Sequence, residues 1–270
     1  MMGILNVTPD SFSDGGRWDS LRSAVDHAFE MADAGADVID IGAESTRPGA
    51  SPVPAEEEIR RLAPVLEELA PSLGVPVSVD TMKAEVARKA VDLGAEMVND
   101  VFGLRGEGMM ELCAESGVAV VIMHMCGAPG TVHSSCMGEG YIGDIRSFLR
   151  ERARAAEEAG IRRDRIVLDP GIGFGKTPAQ NAVIMRSSTY FSDGLPVLIA
   201  PSRKRFLASE FPGMDRDEAT MEAVKQAAAW GADMVRVHDV AGTVSALRGR
   251  FTRPCSRPRR SDGASCRSLS

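Results

Sequence analysis

The sequence predicts one (β/α)₈ barrel, a ring of eight parallel strands enclosed by helices, followed by a short tail. The chain has 270 residues, which is close to the usual size of such a barrel. Short apolar runs alternate with helical patterns, as in parallel sheets whose strands are joined by helices. Several helical patterns end in Ala-Gly-Ala or a close variant, where glycine caps the helix and a strand begins at once. An open, doubly wound sheet is the alternative, because alternation alone does not count strands around a closed ring.

Eight short runs have the composition of strands that are buried on both faces. Each has an apolar core of about four to six residues with turn-forming residues nearby. In chain order the predicted strands are Gly3–Asn6, Asp37–Gly42, Val75–Asp80, Glu96–Asp100, Val118–His124, Arg165–Asp169, Leu195–Ala200 and Met234–His238.

Helical patterns separate these runs. The pattern Ser20–Ala34 repeats apolar residues at helical spacing, and Pro54–Leu69 opens with proline in its first turn and carries one apolar stripe. Pro178–Phe191 has the weakest pattern. The remaining predicted helices are Lys83–Leu93, Gly108–Ser116, Asp144–Ala159 and Asp217–Trp230.

The barrel is expected to occupy residues 1–250, and residues 251–270 are expected to form a separate tail. The tail contains five arginines, five serines, two prolines and one acidic residue, without helical or strand periodicity. This composition is typical of disorder. A solvated tail is the simpler interpretation of its charge, and contact with an anionic partner is the alternative.

The composition argues against several classes of protein. Hydrophobic residues make up 44% and charged residues 26%, as in ordinary globular domains. A net charge of −7 argues against general binding to nucleic acid, which requires a basic face. We expect no signal peptide and no membrane span, because no apolar run approaches ~18 residues. The five cysteines form no Cys-x-x-Cys pair, so we expect no disulfide framework or zinc site and a cytoplasmic protein.

The stretch "LDPGIGFGKT" (Leu168–Thr177) has features of a nucleotide phosphate loop. That loop requires glycine, four residues and then Gly-Lys-Ser/Thr, and here only the final Gly-Lys-Thr matches. Pro170 stands where the first glycine belongs, and proline offers no N–H to a phosphate. We therefore disfavour a phosphate loop and take Asp169, which precedes the glycines, as the candidate for function.

Polar residues stand at the ends of nearly all the predicted strands. In a (β/α)₈ barrel the carboxyl ends of the strands meet at one opening, where the chemistry takes place. One acid at a strand end can simply cap the next helix, but polar ends on so many strands indicate a shared site. The strand-end residues include Asn6, Asp80, Asn99, Asp100, His124, Asp169, Arg236 and His238.

These side chains suit a flat polar ring joined to an anion. Asp80, Asn99 and Asp169 offer donors and acceptors for a heterocycle, and a carboxylate can accept two parallel N–H bonds. Asn6 offers a neutral oxygen of the kind that Mg²⁺ accepts while it keeps water and phosphate ligands. Cations for the anion are available at Arg47, Arg203, Lys204, Arg236 and His238.

Several motifs resemble those of the dihydropteroate synthase family. The resemblance covers residues 2 to about 248, and the long first motif is the most specific. The motifs occur in the family's order: "MGILNVTPDSFSDGG" (Met2–Gly16), "DIGAESTRPGA" (Asp40–Ala50), "SVDT" (Ser78–Thr81), "VND" (Val98–Asp100), "MHM" (Met123–Met125), "LDPGIGFGK" (Leu168–Lys176), "SRK" (Ser202–Lys204) and "RVHDV" (Arg236–Val240).

The resemblance implies a transferase of folate biosynthesis with a (β/α)₈ barrel. Members join 6-hydroxymethyl-7,8-dihydropterin pyrophosphate to p-aminobenzoate and release 7,8-dihydropteroate and pyrophosphate. It also implies Mg²⁺, a homodimer and a family of sulfonamide targets. The substrates are small molecules, so no nucleic-acid or membrane partner is expected.

The resemblance further implies a role for each site residue. We expect Asp80, Lys204, Arg47 and Asp169 to take part in catalysis, and we assign Lys176 only a loop or surface charge. Pyrophosphate is expected at Asn6, Arg236 and His238, with Asn6 also on the metal. The p-aminobenzoate site is expected at Thr46, Arg47, Ser202 and Lys204. The pterin site is expected to comprise Asp80, Asn99, Val101, Met123, Asp169, Phe174 and Lys204.

Two other functions remain open from the sequence. A pterin-binding methyltransferase of the methyltetrahydrofolate–corrinoid type shares the barrel but needs no pyrophosphate site. Asn6, Arg236 and His238 together therefore favour the synthase. A non-catalytic pterin-binding paralogue draws support from Pro201, which removes a backbone donor and stiffens the approach to Lys204.

Overall fold

The structure is a computed structural model that describes residues 1–7, 17–45, 51–127 and 137–248, and the side chains of residues 17–20 are not described. Two sets of expectations fall outside these ranges. Thr46 and Arg47 are not among the described residues, and neither is the tail, residues 251–270. The expectations for them stay predictions.

Eight parallel strands form the ring. They follow the order β6-β5-β4-β3-β2-β1-β8-β7. Leu168 of β6 bridges Val197, just before β7, and its N–H donates to the Pro196 carbonyl at 2.9 Å, which closes the ring. The predicted (β/α)₈ barrel is confirmed and the open sheet is not found. The strands are β1 Met2–Asn6, β2 Val38–Gly42, β3 Val77–Asp80, β4 Met97–Asp100, β5 Ala119–Met123, β6 Ile166–Asp169, β7 Leu198–Ile199 and β8 Met234–Val237.

Helices cover the outside of the ring. The predicted helix Pro178–Phe191 is divided into two helices at Arg186, and the sequence patterns do not predict α8 or α10. None of the helices in the described ranges is both long and apolar enough to cross a membrane. They are α1 Arg17–Ala34, α2 Ala55–Leu69, α3 Ala84–Asp92, α4 Met109–Ser116, α5 Tyr141–Glu158, α6 Pro178–Met185, α7 Ser188–Phe191, α8 Leu207–Glu210, α9 Arg216–Ala229 and α10 Val240–Arg248.

Two described cysteines differ in state. Cys113 in α4 is free and buried in the core between helices and sheet. Cys126, three residues after the end of β5, is disulfide-bonded. The prediction of no disulfide framework did not anticipate the bond at Cys126.

Asp100 stabilises the turn that follows β4. Its side chain is fully buried, and its two oxygens accept the N–H groups of Phe102 at 2.7 Å and Leu104 at 2.8 Å. Burial raises the pKa of Asp100 to about 6, against the lowering effect of these two bonds. Asp100 thus serves the turn rather than the opening of the barrel.

Replacing Asp100 by alanine should lower the free energy of unfolding by about 2–4 kcal/mol, because two buried N–H groups lose their acceptor. Urea unfolding of wild type and Asp100→Ala measures this difference. The control is Asp92→Ala, at an exposed position on α3, which should stay within about 0.5 kcal/mol of wild type. Equal stability of the two variants would contradict the role given to Asp100.

Candidate active site

The inner face of the barrel changes from apolar to polar along the strands. Side chains on a strand alternate between faces, so residues two positions apart point the same way. An apolar cluster lies deep in the ring and is built around Met2, Val38, Val121, Val167 and Leu198, with Met97 and Met234 packed against it. Two positions after Val38, Met97, Val167 and Met234, four strands carry Asp40, Asn99, Asp169 and Arg236. The polar layer therefore lies toward the carboxyl ends of the strands, an opening that we call the mouth.

A hydrogen-bonded network joins four strands at the mouth. Arg236 donates from Nε to Asp40 Oδ2 at 2.5 Å and from Nη2 to Asp80 Oδ2 at 2.7 Å. Asn99 donates from Nδ2 to the same Asp40 oxygen at 2.9 Å. The predicted residues Asp80, Asn99 and Arg236 are thus brought together, and the fully buried Asp40 links them.

Asp40 was not predicted as a site residue. It stands inside the apolar strand "VIDIG" of β2, and an acid buried in such a strand needs a partner. An acid within an apolar strand is the sequence signal by which Asp40 could have been predicted as a site residue. The partners come from β4 and β8, which are distant in the sequence.

The network contains one acid that titrates near neutral pH. Burial raises the pKa of Asp80 to about 7; Arg236 opposes this, while Asp40, Glu58 and Asp100 add to it. Burial acts to lower the pKa of Arg236, but Asp40 and Asp80 outweigh it and raise the pKa. Arg236 therefore remains charged, and the charge of Asp80 depends on pH around neutrality.

Asp169 and Lys204 form a second polar group at the mouth. Asp169 Oδ1 accepts the N–H of Gly171 at 2.7 Å, and Lys204 donates to the carbonyl of Ile172. Burial raises the pKa of Asp169, with Lys204 the main opposing charge. Burial lowers the pKa of Lys204 to about 8, with Asp169 opposing. The acid and the amine thus face the same buried space.

An apolar wall stands beside these polar groups. Val101, Met123, Met125 and Phe174 form a buried cluster of their own, separate from the core between sheet and helices. The Lys204 ammonium lies 5.0 Å from the centre of the Phe174 ring. The three predicted wall residues Val101, Met123 and Phe174 therefore meet, and Met125 joins them.

Ser202 and His238 contact each other just after β7 and β8. The Ser202 hydroxyl lies 2.8 Å from His238 Nδ1, and it accepts the backbone N–H of His238 at 3.2 Å. Asn6, at the carboxyl end of β1, pairs in register with Gly42 of β2, and its side chain is exposed. The geometry thus connects a predicted p-aminobenzoate residue with a predicted pyrophosphate residue.

Known proteins are similar to this chain over most of its length. A family model described as pterin binding enzyme matches residues 2–238. The dihydropteroate synthase of Bacillus subtilis is 48% identical over 244 residues, which cover 89% of this chain and 83% of that protein. The Escherichia coli enzyme of the same name is 42% identical over 251 residues, with 92% and 89% covered.

The chain belongs to the dihydropteroate synthase family. A solved structure named as Xanthomonas albilineans dihydropteroate synthase with 4-aminobenzoic acid has a TM-score of 0.85 and 45% identity, with 92% of this chain and 90% of that chain covered. A second structure of that enzyme, in complex with 7,8-dihydropteroate, has a TM-score of 0.82 at 42% identity and the same coverage. Membership of this family makes the chain a transferase of folate synthesis.

Two residues of this synthase barrel lie elsewhere than the sequence suggested. Arg203, predicted among the cations for an anion, has a left-handed backbone (φ 58°) and pairs with Asp217 of α9 at 2.7 and 2.9 Å. Lys176, predicted to be a loop or surface charge, is buried and contacts His124. Thr177, in the same motif, caps α6 by a reciprocal bond pair with Gln180.

The predicted residues Thr46 and Arg47 lie outside the described residues, but the chain on either side of them is anchored. Glu44 Oε1 accepts the N–H of Val53 at 2.9 Å, and Glu44 Oε2 accepts from Lys83 Nζ at 2.6 Å. Lys83 also donates to the fully buried Glu58 of α2 at 2.6 Å. This ion-paired group fixes Glu44 and Val53, on either side of Thr46 and Arg47, to α2 and to the start of α3.

Proposed function

We propose that this synthase joins 6-hydroxymethyl-7,8-dihydropterin pyrophosphate to p-aminobenzoate at the mouth of the barrel. The main support is the half-buried acid of Asp80 and the buried side chains of Asn99 and Asp169, beside the apolar wall of Val101, Met123, Met125 and Phe174. A flat ring with a polar edge and two apolar faces requires this combination.

The pterin would be held by its polar edge. Asp169 Oδ2 has no hydrogen-bond partner among the described residues and can accept N–H donors from an aminopyrimidinone. Asn99 is oriented by Asp40, so its amide oxygen can face the ring. Lys204 would approach the pterin carbonyl, and Phe174 and Met123 would cover the faces of the ring.

The anionic groups would lie on the side of Asn6, His238 and Ser202. Ser202 suits the carboxylate of p-aminobenzoate, and Thr46 and Arg47, from the segment between β2 and α2, would also contact it. Arg236 and His238 would hold the pyrophosphate, and Arg236 also donates to Asp40 and Asp80.

The donor set fits a magnesium ion that is bound mainly through the substrate. Asn6 offers an exposed amide oxygen, and in the described parts of the chain no group of three or more His, Cys, Asp or Glu side chains could hold a metal. Mg²⁺ commonly binds one or two protein oxygens and takes its other ligands from water and phosphate. When bound, it would neutralise part of the pyrophosphate charge.

The reaction follows from this arrangement. The bond between the pterin methylene carbon and the pyrophosphate oxygen breaks, and its electron pair leaves with pyrophosphate. Arg236 and His238 stabilise the departing charge, and Asp80 stabilises the cation on the pterin. The amine of p-aminobenzoate then bonds to the methylene carbon and loses one proton to solvent. No covalent enzyme intermediate is formed.

Pyrophosphate release tests the proposal. With pterin pyrophosphate and Mg²⁺ supplied, release should depend on p-aminobenzoate and should be accompanied by equal amounts of 7,8-dihydropteroate. Pterin binding without turnover would instead select a non-catalytic pterin-binding protein, and release at the same rate with and without p-aminobenzoate would contradict the proposed condensation. Methyl transfer from methyltetrahydrofolate to a corrinoid would select the methyltransferase.

A homodimer and a cytoplasmic location stay part of the proposal. Apolar side chains exposed near α6, α7 and α9 support the dimer, because they offer a surface for a second copy. They are Val183, Tyr190, Met214 and Trp230. Sedimentation equilibrium tests the dimer, and a monomer at all concentrations would exclude it.

A further inference from the structure

The ammonium of Lys176 lies inside a ring of acceptors. The side chain is buried, and Nζ donates to the carbonyls of Gly171 at 2.8 Å, Phe174 at 3.0 Å and His124 at 3.2 Å. Nζ also lies 3.0 Å from His124 Nδ1. A primary ammonium is three donors with no acceptor, so this environment is matched to its charged form.

The loop can form this ring because of its glycines. Gly171, Gly173 and Gly175 all have left-handed backbones, with φ of 72°, 85° and 73°. A Cβ at Gly171 would lie 1.9 Å from the His124 carbonyl oxygen, so no larger residue fits there. The Gly-x-Gly-x-Gly-Lys pattern thus lets the loop wrap around its own lysine instead of a phosphate.

His124 connects this loop to β5. Burial, with the charges of Lys176 and Arg105, lowers the pKa of His124 to about 3, so the ring is neutral and Nδ1 can accept a hydrogen bond. Burial also lowers the pKa of Lys176 to about 7, with Asp169 opposing and Lys204 adding to the effect. The bond therefore joins a neutral imidazole to the amine of Lys176, which carbonyl oxygens surround.

The groups that Lys176 connects all stand next to the mouth. The loop includes Phe174, and its Gly171 N–H bonds to Asp169. The carbonyl of Ile172, in the same loop, holds Lys204. His124 is flanked by Met123 and Met125 of the apolar wall. The position of the loop relative to β5 thus sets the distance between Phe174 and the two methionines.

We propose that Lys176 is a positioning residue for the pterin, holding the glycine loop against the end of β5 so that Asp169, Phe174 and Met123 stand at the spacing of a flat ring. This inference rests on the proposed function. Lys176 does not touch the substrate, and it acts through the loop that it holds.

Replacing Lys176 by methionine should raise KM for the pterin pyrophosphate about tenfold or more, because a small misplacement of binding groups is costly. The values of kcat and of KM for p-aminobenzoate should change by no more than a few-fold, since Ser202 and the leaving-group side are unaffected and only Lys204, which the same loop holds, is shared with the p-aminobenzoate site. The matched control is Lys89→Met, at an exposed position on α3, which should behave as wild type. A fall in kcat with unchanged pterin KM, or equal increases in both KM values, would overturn the proposal.

A second pair of variants decides the matter if Lys176→Met does not fold. His124→Asn keeps an acceptor oxygen near the position of Nδ1, whereas His124→Leu removes it. We expect His124→Leu to raise the pterin KM and His124→Asn to restore most of the loss; equal values for the two variants would contradict the inference. Calorimetric titration with the pterin pyrophosphate alone separates the positioning role of Lys176 from the proposed function. If the wild type binds the pterin but does not turn it over, the proposed function fails. The affinities of the variants for the pterin can still be compared in that case.

Discussion

Asparagine in place of Asp169 is expected to lower kcat/KM for the pterin substrate about a hundredfold to a thousandfold. The carboxylate can accept two N–H donors from the ring edge, and a hydrogen bond to a charged group contributes about 1.5–3 kcal/mol. Asparagine offers one oxygen and one NH₂, so one donor of the pterin would face another donor. Lys204 would also lose the acid that opposes the lowering of its pKa.

Initial rates over a range of pterin concentrations measure this loss, which should appear mainly in KM. The control is Asp33→Asn, the same change at an exposed position on α1, which should leave both kinetic constants unchanged. A variant Asp169→Asn with wild-type KM would show that the pterin edge binds elsewhere. In that case Asn99 and Asp80 would be the remaining candidates for the edge.

The strand framework and most of the mouth could be predicted from the sequence. All eight strands are present, and β2 to β7 begin one to three residues later than the predicted runs. In β1, β3, β4 and β6 the carboxyl ends match because the polar residue that ends the run also ends the strand, whereas β5, β7 and β8 stop one residue before the predicted end. Asn6, Asp80 and Asp169 were found in this way, since a polar residue after a buried run is visible without any tertiary information.

Contacts between distant segments could not be predicted in the same way. Asp40 belongs to the site because β2 lies in register between β1 and β3, and because β4 and β8 supply its partners. Arg203 follows Ser202 directly, but its left-handed backbone directs it to Asp217. The sequence alone does not predict this turn conformation. The pairing of Arg203 with Asp217 therefore could not be predicted from its position next to Ser202.

Local patterns also failed where tertiary contacts decide the structure. Lys176 follows three alternate glycines, and nothing in the pattern shows that the loop folds back on its own side chain. Helix α10 includes Gly242, a poor helix former, where a Cβ would lie 2.2 Å from Asp239 Oδ2. Tertiary packing rather than a local sequence pattern therefore explains the loop around Lys176 and the helix around Gly242.

Replacing Asp80 by asparagine is the second large effect that we expect, and it should fall on kcat. Asp80 is an acid held by Arg236 at 2.7 Å beside the ring site, where its negative charge would stabilise the cation formed when pyrophosphate leaves. Loss of one well-placed electrostatic group typically costs about a hundredfold to a thousandfold in kcat. Asparagine keeps the size and a hydrogen-bonding oxygen, so KM for the pterin should change only a few-fold, or by about 1 kcal/mol.

The pH profile gives an independent signature of the same carboxylate. The pKa of Asp80 is raised to about 7 by burial, so the carboxylate is ionised above this pH and protonated below it. Wild-type kcat/KM for the pterin substrate should therefore fall as the pH is lowered through about 7, approaching a tenfold loss per unit well below it. In Asp80→Asn this dependence should disappear, because the variant has no proton to gain at that position. Asp33→Asn, the exposed control, should keep the wild-type profile. Equal losses in kcat and in pterin affinity, or an unchanged pH dependence in Asp80→Asn, would show that Asp80 binds the ground state and does not stabilise the cation.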